Sequence, residues 1–334
     1  METSTPPSPF EDIDGAALRA QVAACDAALG KYVDEIDYRN LSWYVSRACL
    51  RYALGGDPAA VTDDLWLAAR CLQGRESMHL DRIPVERFLT RRILPIELGL
   101  LSGQPAITRD LAEGAGFSVP TVIANESEEL FREAGRLTSW FRRGSCATHQ
   151  DLAGLGAVVF GGALAAISRG FDDEAALGLN LFADAREPFR HVEPPEKVAA
   201  VLRRYDGLLL SLACLLRNEP DRLAHVLAGV VEGYCADLRH KLGAELLTPT
   251  EPHHYLDLSS LAILAIAALR RMEVPVSSDG PVGGYAAIYR FFMTSPPREA
   301  QPLSGLDEQS KALLRSMGVS DETIDGAQEP PPEG

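Results

Sequence analysis

A chain of 334 residues that is 46% apolar and 24% charged has ordinary globular composition, and it is long enough to bury a substantial core, which excludes wholesale disorder. The net charge of −15 gathers at the ends: residues 1–40 carry eight acids against three bases, and residues 301–334 carry seven against two. With no basic face or arm in what remains, nucleic-acid binding is excluded.

Residues 1–15 (METSTPPSPFEDIDG) have no basic stretch ahead of an apolar run, so they read as a disordered acidic tail and not as a secretory leader. The first strong helical signal follows at 41–52. Leu41, Tyr44, Val45, Ala48, Cys49 and Tyr52 recur at spacings of three and four, the stripe of a helix with one buried face. Gly55-Gly56-Asp57-Pro58 stops that helix and caps a returning one, on which Val61, Leu65, Ala68, Ala69 and Leu72 continue the stripe.

A second hairpin pairs 84–102 with 105–115 across Ser102-Gly103-Gln104-Pro105, and Pro95 is expected to kink or break its first helix. A third pairs 151–169 with 172–186 across Arg169-Gly170-Phe171-Asp172. Its row Ala157, Gly161, Ala165 predicts a close-packed central helix. The uncharged run Leu152–Ser168 is too short and too rich in Gly and Ala for a membrane span.

From 195 to 240 a long stripe (Val198, Val201, Leu202, Tyr205, Leu208, Leu209, Leu212) turns at Asn218-Glu219-Pro220 and returns through Leu223, Leu227, Val230 and Tyr234. Leu256–Leu269 is apolar on nearly every side, which places it centrally. Residues 273–284 read as a loop, with Gly280, Gly283 and Gly284 for flexibility, and 321–334 as an acidic, proline-rich disordered tail. The predicted fold is therefore all-α: an irregular, α-solenoid-like stack of helical hairpins in one domain over 16–320. Six cysteines without a CxxC pair read as buried reduced thiols and place the chain in the cytoplasm.

No catalytic motif or cofactor signature stands out: there is no GxSxG, GxxxxGK[ST] or HExxH. Cys146 and His149 could suggest a nucleophile and base, but no oxyanion pocket is recognisable around them. Glu251, His253, His254 and Asp257 concentrate metal-ligand types, with His253 and Asp257 four apart on a helix starting near Pro252, but a polar loop leading into a buried helix explains them as well. The doublets Arg91-Arg92, Arg142-Arg143 and Arg203-Arg204 read as solvated faces of apolar helices. The strongest surface candidate lies on the first hairpin. Trp43, Arg47 and Arg51, and on the returning helix Trp66 and Arg70, repeat at spacings of four, and Trp and Arg are the residues in which binding energy concentrates. A tryptophan packed into the core under arginine stems is the competing reading.

The stretch Leu41–Leu72 (LSWYVSRACLRYALGGDPAAVTDDLWLAARCL) resembles the bacterial immunity proteins of polymorphic-toxin systems, in particular the all-α immunity protein forty-nine family. The resemblance implies further helix pairs over roughly 36–300. It also implies a protein that binds a cognate secreted toxin inside the producing cell and blocks it stoichiometrically, without catalysis; it assigns no individual site residue. The expected function is a non-catalytic protein-binding module that occludes a toxin's active site, with Trp/Arg anchors and acids facing basic toxin residues. The alternatives are a metal-dependent enzyme centred on 251–257 and a helical scaffold or regulator that binds peptides.

Overall fold

The computed structural model describes Phe10 and residues 14–31, 38–72, 85–103, 107–108, 149–168, 170–185, 195–242 and 255–295. The chain divides into two compact units, Met1–Pro296 and Pro297–Gly334, and all the described residues fall in the first.

Every regular element among the described residues is helical. In chain order they are α1 (Gly15–Leu29), α2 (Leu41–Ala53), α3 (Pro58–Leu72), α4 (Val85–Leu101), α5 (His149–Ser168), α6 (Asp172–Ala185), α7 (Pro195–Leu216), α8 (Pro220–Leu242), α9 (Leu258–Leu269) and α10 (Gly283–Thr294), with short 3-10 turns at Tyr38–Asn40 and Gly280–Val282. Three of the predicted hairpins are present as α2–α3, α5–α6 and α7–α8. The second member of the hairpin at 105–115 lies almost wholly outside the described residues. None of the described helices is long and apolar enough to cross a membrane.

The turns follow one local rule. At the end of α2, Gly56 N–H donates to Arg51 O (2.8 Å) and Gly55 N–H to Tyr52 O (3.0 Å), while Gly55 sits at φ +68°. This paired bond answers carbonyls that the helix leaves open. The same two bonds close α5 around Gly170, α7 around Asn218 (φ 55°) and α9 around Arg271 (φ 54°). Asparagine tolerates the left-handed conformation, but arginine pays a steric cost there. Because Arg271 is exposed, Arg271→Gly should raise the unfolding free energy by about 0.5–1 kcal/mol, read from urea denaturation; a lower midpoint would contradict it.

α5 and α9 occupy the interior, as their composition predicts. α5 packs against α4, α6, α7 and α9, and α9 against α4, α5, α7, α8 and α10. A Cβ on Gly161 would stand 2.8 Å from Ile93 of α4, and one on Gly156 would stand 2.4 Å from the ring of Tyr205 on α7, so the small residues let α5 slot between those two helices. α4 continues through Pro95, so the proline does not break the helix there. The missing N–H removes one rung, and burial of Ile96, Leu98, Leu100 and Leu101 carries the helix past it.

The last pair departs from a simple succession of hairpins. α9 folds back into the middle, and α10 packs on α3, more than two hundred residues earlier. Tyr52 of α2 donates its hydroxyl to Pro281 O (3.2 Å) and meets Tyr285 edge-on, ring centroids 5.4 Å apart. Gly283 and Gly284, read above as loop, begin α10. Side chains there would collide with Ser278 O (2.4 Å) and the Tyr52 ring (2.5 Å), so close approach explains these glycines better than flexibility.

Candidate functional site

Three groups of charged side chains sit inside the helical array, each on a stripe that otherwise reads as apolar. In the first, Asp64 of α3 is 1% exposed. Arg47 of α2 reaches it through Nε (3.0 Å) and Nη2 (2.7 Å) and extends Nη1 to Asp26 of α1 (2.6 Å), while Arg51 Nη1 contacts the other Asp64 oxygen (2.9 Å). One buried carboxylate therefore ties α2 to α3, and Arg47 draws in α1. Burial works against the Arg47 charge, but its bonds to Asp64 and Asp26 outweigh that and hold its pKa above the ordinary value.

This arrangement locates the five residues singled out on the first hairpin. Arg47 and Arg51 turn their guanidinium groups inward onto Asp64; Arg70 is only 4% exposed, its guanidinium over the Trp66 ring at 5.8 Å; Trp43 and Trp66 are half-buried and pack against the core. Asp64→Asn should cost about 2 kcal/mol in a denaturant titration, because two partly buried guanidinium groups lose their shared anion; a change under about 0.5 kcal/mol would contradict the tie.

The second group is central. Arg204 of α7 forks onto Asp257 at the head of α9, Nη2–Oδ1 2.9 Å and Nη1–Oδ2 3.2 Å. Ser260 Oγ donates to Asp257 Oδ2 (2.7 Å), and the Asp257 backbone N–H donates to the Tyr285 hydroxyl (2.8 Å). The Arg204 guanidinium also lies over the Tyr234 ring of α8, 5.1 Å from its centre. Burial alone would raise the Asp257 pKa, but Arg204 and Ser260 overcome it and hold the carboxyl below its usual range. Burial likewise disfavours the Arg204 charge, yet Asp257 keeps it firmly protonated.

The solvated-face reading holds for Arg203, which is exposed, and fails for Arg204. Arg204 lies three residues after Val201 and four before Leu208, on the buried stripe, and the missing information was the acid 53 residues later. Asp257 is 2% exposed and bound to Arg204 and Ser260, which makes it the anionic half of an ion pair and not a free ligand beside His253. Glu251, His253, His254, Cys146 and the side chain of His149 fall outside what is described. Among the described residues no three metal-ligating side chains converge.

The third group is Glu97 of α4, which is 6% exposed and accepts a hydrogen bond from Ser259 Oγ (2.7 Å). Burial pushes its pKa up to about 7, with Asp257 adding to the rise and Ser259 and Arg204 opposing it. Glu97 and the Arg204–Asp257 pair share the wall of one cavity of about 180 Å³ with Tyr205, Tyr234 and Ser259. Ile93, Leu94, Phe160, Leu208 and Leu258 supply its apolar wall. Arg204 keeps 32% of its side-chain surface accessible although Asp257 keeps only 2%.

Among the described residues, Cys25, Cys49, Cys71, Cys214 and Cys235 are buried and form no disulfide. Burial pushes Cys25 up to about 11 and Cys49 up to about 12, so both stay as unreactive thiols at neutral pH. No protein-family model, curated protein or solved structure matches the chain.

Proposed function

We propose that this protein is a non-catalytic binding module that covers a protein partner with its helical surface, and that the partner is a cognate toxin, the protein acting as its immunity factor. The observation that carries the reading is the way the first hairpin is braced. Asp64, Arg47 and Arg51 fix α1, α2 and α3 to one another, so the surface they carry is pre-organised and little ordering entropy is lost on docking. The resemblance of this hairpin, Leu41–Leu72, to the all-α immunity proteins adds the identity of the partner class.

Half-buried Trp43 and Trp66 supply the aromatic anchors. In this mechanism a rigid face lies over the toxin's active cleft and blocks it without turnover. The test is co-expression with the product of the adjacent gene, which this reading takes to be the toxin. Wild-type protein should protect cells and co-purify with the toxin, while Trp43→Ser should lose both with its helical circular dichroism intact. Full protection by Trp43→Ser would move the interface off this hairpin, and absence of binding by the wild type would remove the reading.

A further inference from the structure

The central cavity holds an unbalanced set of charges. Arg204 and Asp257 neutralise each other through two hydrogen bonds, so neither needs a counter-ion from outside. Glu97 is different: its hydrogen-bond partner is the neutral hydroxyl of Ser259, and it is 6% exposed. Among the described residues no cation bonds to this carboxylate, and the nearby Arg204, which lowers its pKa only electrostatically, is committed to Asp257. Beside it the cavity offers the ring of Phe160 and the side chains of Ile93, Leu94 and Leu208. An opening of about 180 Å³ is somewhat larger than the roughly 150 Å³ engineered cavity that accepts benzene, which leaves room for a ring with one short substituent.

We propose that the cavity bounded by α4, α5, α7 and α9 binds a small primary amine with an apolar body, about the size of benzylamine. Its ammonium bonds to Glu97 and its ring lies among Phe160, Leu208 and Ile93. The ammonium supplies the missing positive charge, with an aromatic face close by to add cation–π attraction. The Arg204–Asp257 pair acts as a fixed polar wall that selects against anions, because Asp257 already occupies the Arg204 fork. This site stands apart from the first-hairpin interface and does not depend on the toxin reading.

Isothermal titration and thermal-shift measurements on the full chain at pH 8 test it with three probes of one shape: benzylamine, benzyl alcohol and benzoate. Benzylamine should bind at least tenfold more tightly than benzyl alcohol and raise the melting temperature, and benzoate should not bind at 10 mM. Glu97→Gln should weaken benzylamine at least tenfold and leave benzyl alcohol unchanged. Ala157→Leu, which narrows the cavity, should weaken both. Equal binding of the three probes, preference for benzoate, full benzylamine affinity in Glu97→Gln, or no benzylamine binding at 10 mM would each overturn the proposal.

Discussion

Arg204→Met should lower the unfolding free energy by about 3–5 kcal/mol at pH 7, the cost of stranding a buried carboxylate whose partner is gone. Asp257 is 2% exposed, and its remaining hydrogen bonds, from the Ser260 hydroxyl and the Ser259 backbone, are neutral and too little to replace a guanidinium fork. The loss should shrink with acid. In the wild type the folded-state pKa of Asp257 lies below its ordinary value, so the pair's contribution is complete above the unfolded pKa near 4 and disappears as pH falls through the folded value. In Arg204→Met the stranded carboxyl is pushed upward instead and takes up a proton, so the two proteins approach each other below about pH 4. Arg204→Met combined with Asp257→Leu should recover much of the loss, because removing both charges leaves nothing uncompensated. Urea titrations across pH separate these outcomes. A single variant within about 1 kcal/mol of wild type at pH 7 would mean that Asp257 is solvated or paired elsewhere.

Glu97→Gln has the opposite sign. Burial holds Glu97 at about 7, above its ordinary value of 4.5, so between these limits the folded protein keeps a proton that the unfolded chain has released. Unfolding free energy therefore falls as pH rises from about 4.5 to about 7 and levels off above that. The full span is worth at most about 3 kcal/mol at 1.36 kcal/mol per unit. Glutamine keeps the shape and can still accept from Ser259, but has no charge to bury. Glu97→Gln should match wild type near pH 4.5 and exceed it by about 2–3 kcal/mol at pH 8. Parallel pH slopes for the two proteins would place Glu97 in contact with water or with a cation.

Much of the helical array is legible in the sequence, because three- and four-residue spacing with Gly, Asn and Pro stops encodes elements locally. The central positions of α5 and α9 are legible too, from small-residue rows and all-round apolarity. What the periodicity hides is the charge inside. Asp64 lies three residues after Val61 and four before Ala68, and Glu97 four after Ile93 and four before Leu101, so both stand on buried stripes and only their long-range partners explain them. Arg204 follows the same pattern. A charged residue on an apolar stripe is the usable signal, while the identity of its partner depends on how the helices stack. The fold-back of α10 onto α3 was likewise out of reach, since no local pattern specifies a contact over such a separation. Trp43 and Arg47 were legible as an unusual row; that Arg47 and Arg51 converge on Asp64 was not.

Whether these braced helices form the proposed binding surface is decided by titrating this protein into an activity assay of the product of the gene adjacent to its own. If that product is the proposed toxin, its activity should fall linearly and reach zero at one equivalent, with the complex eluting as a 1:1 species. Toxin activity unchanged at a tenfold excess, or lost catalytically at a small fraction of one equivalent, would contradict it.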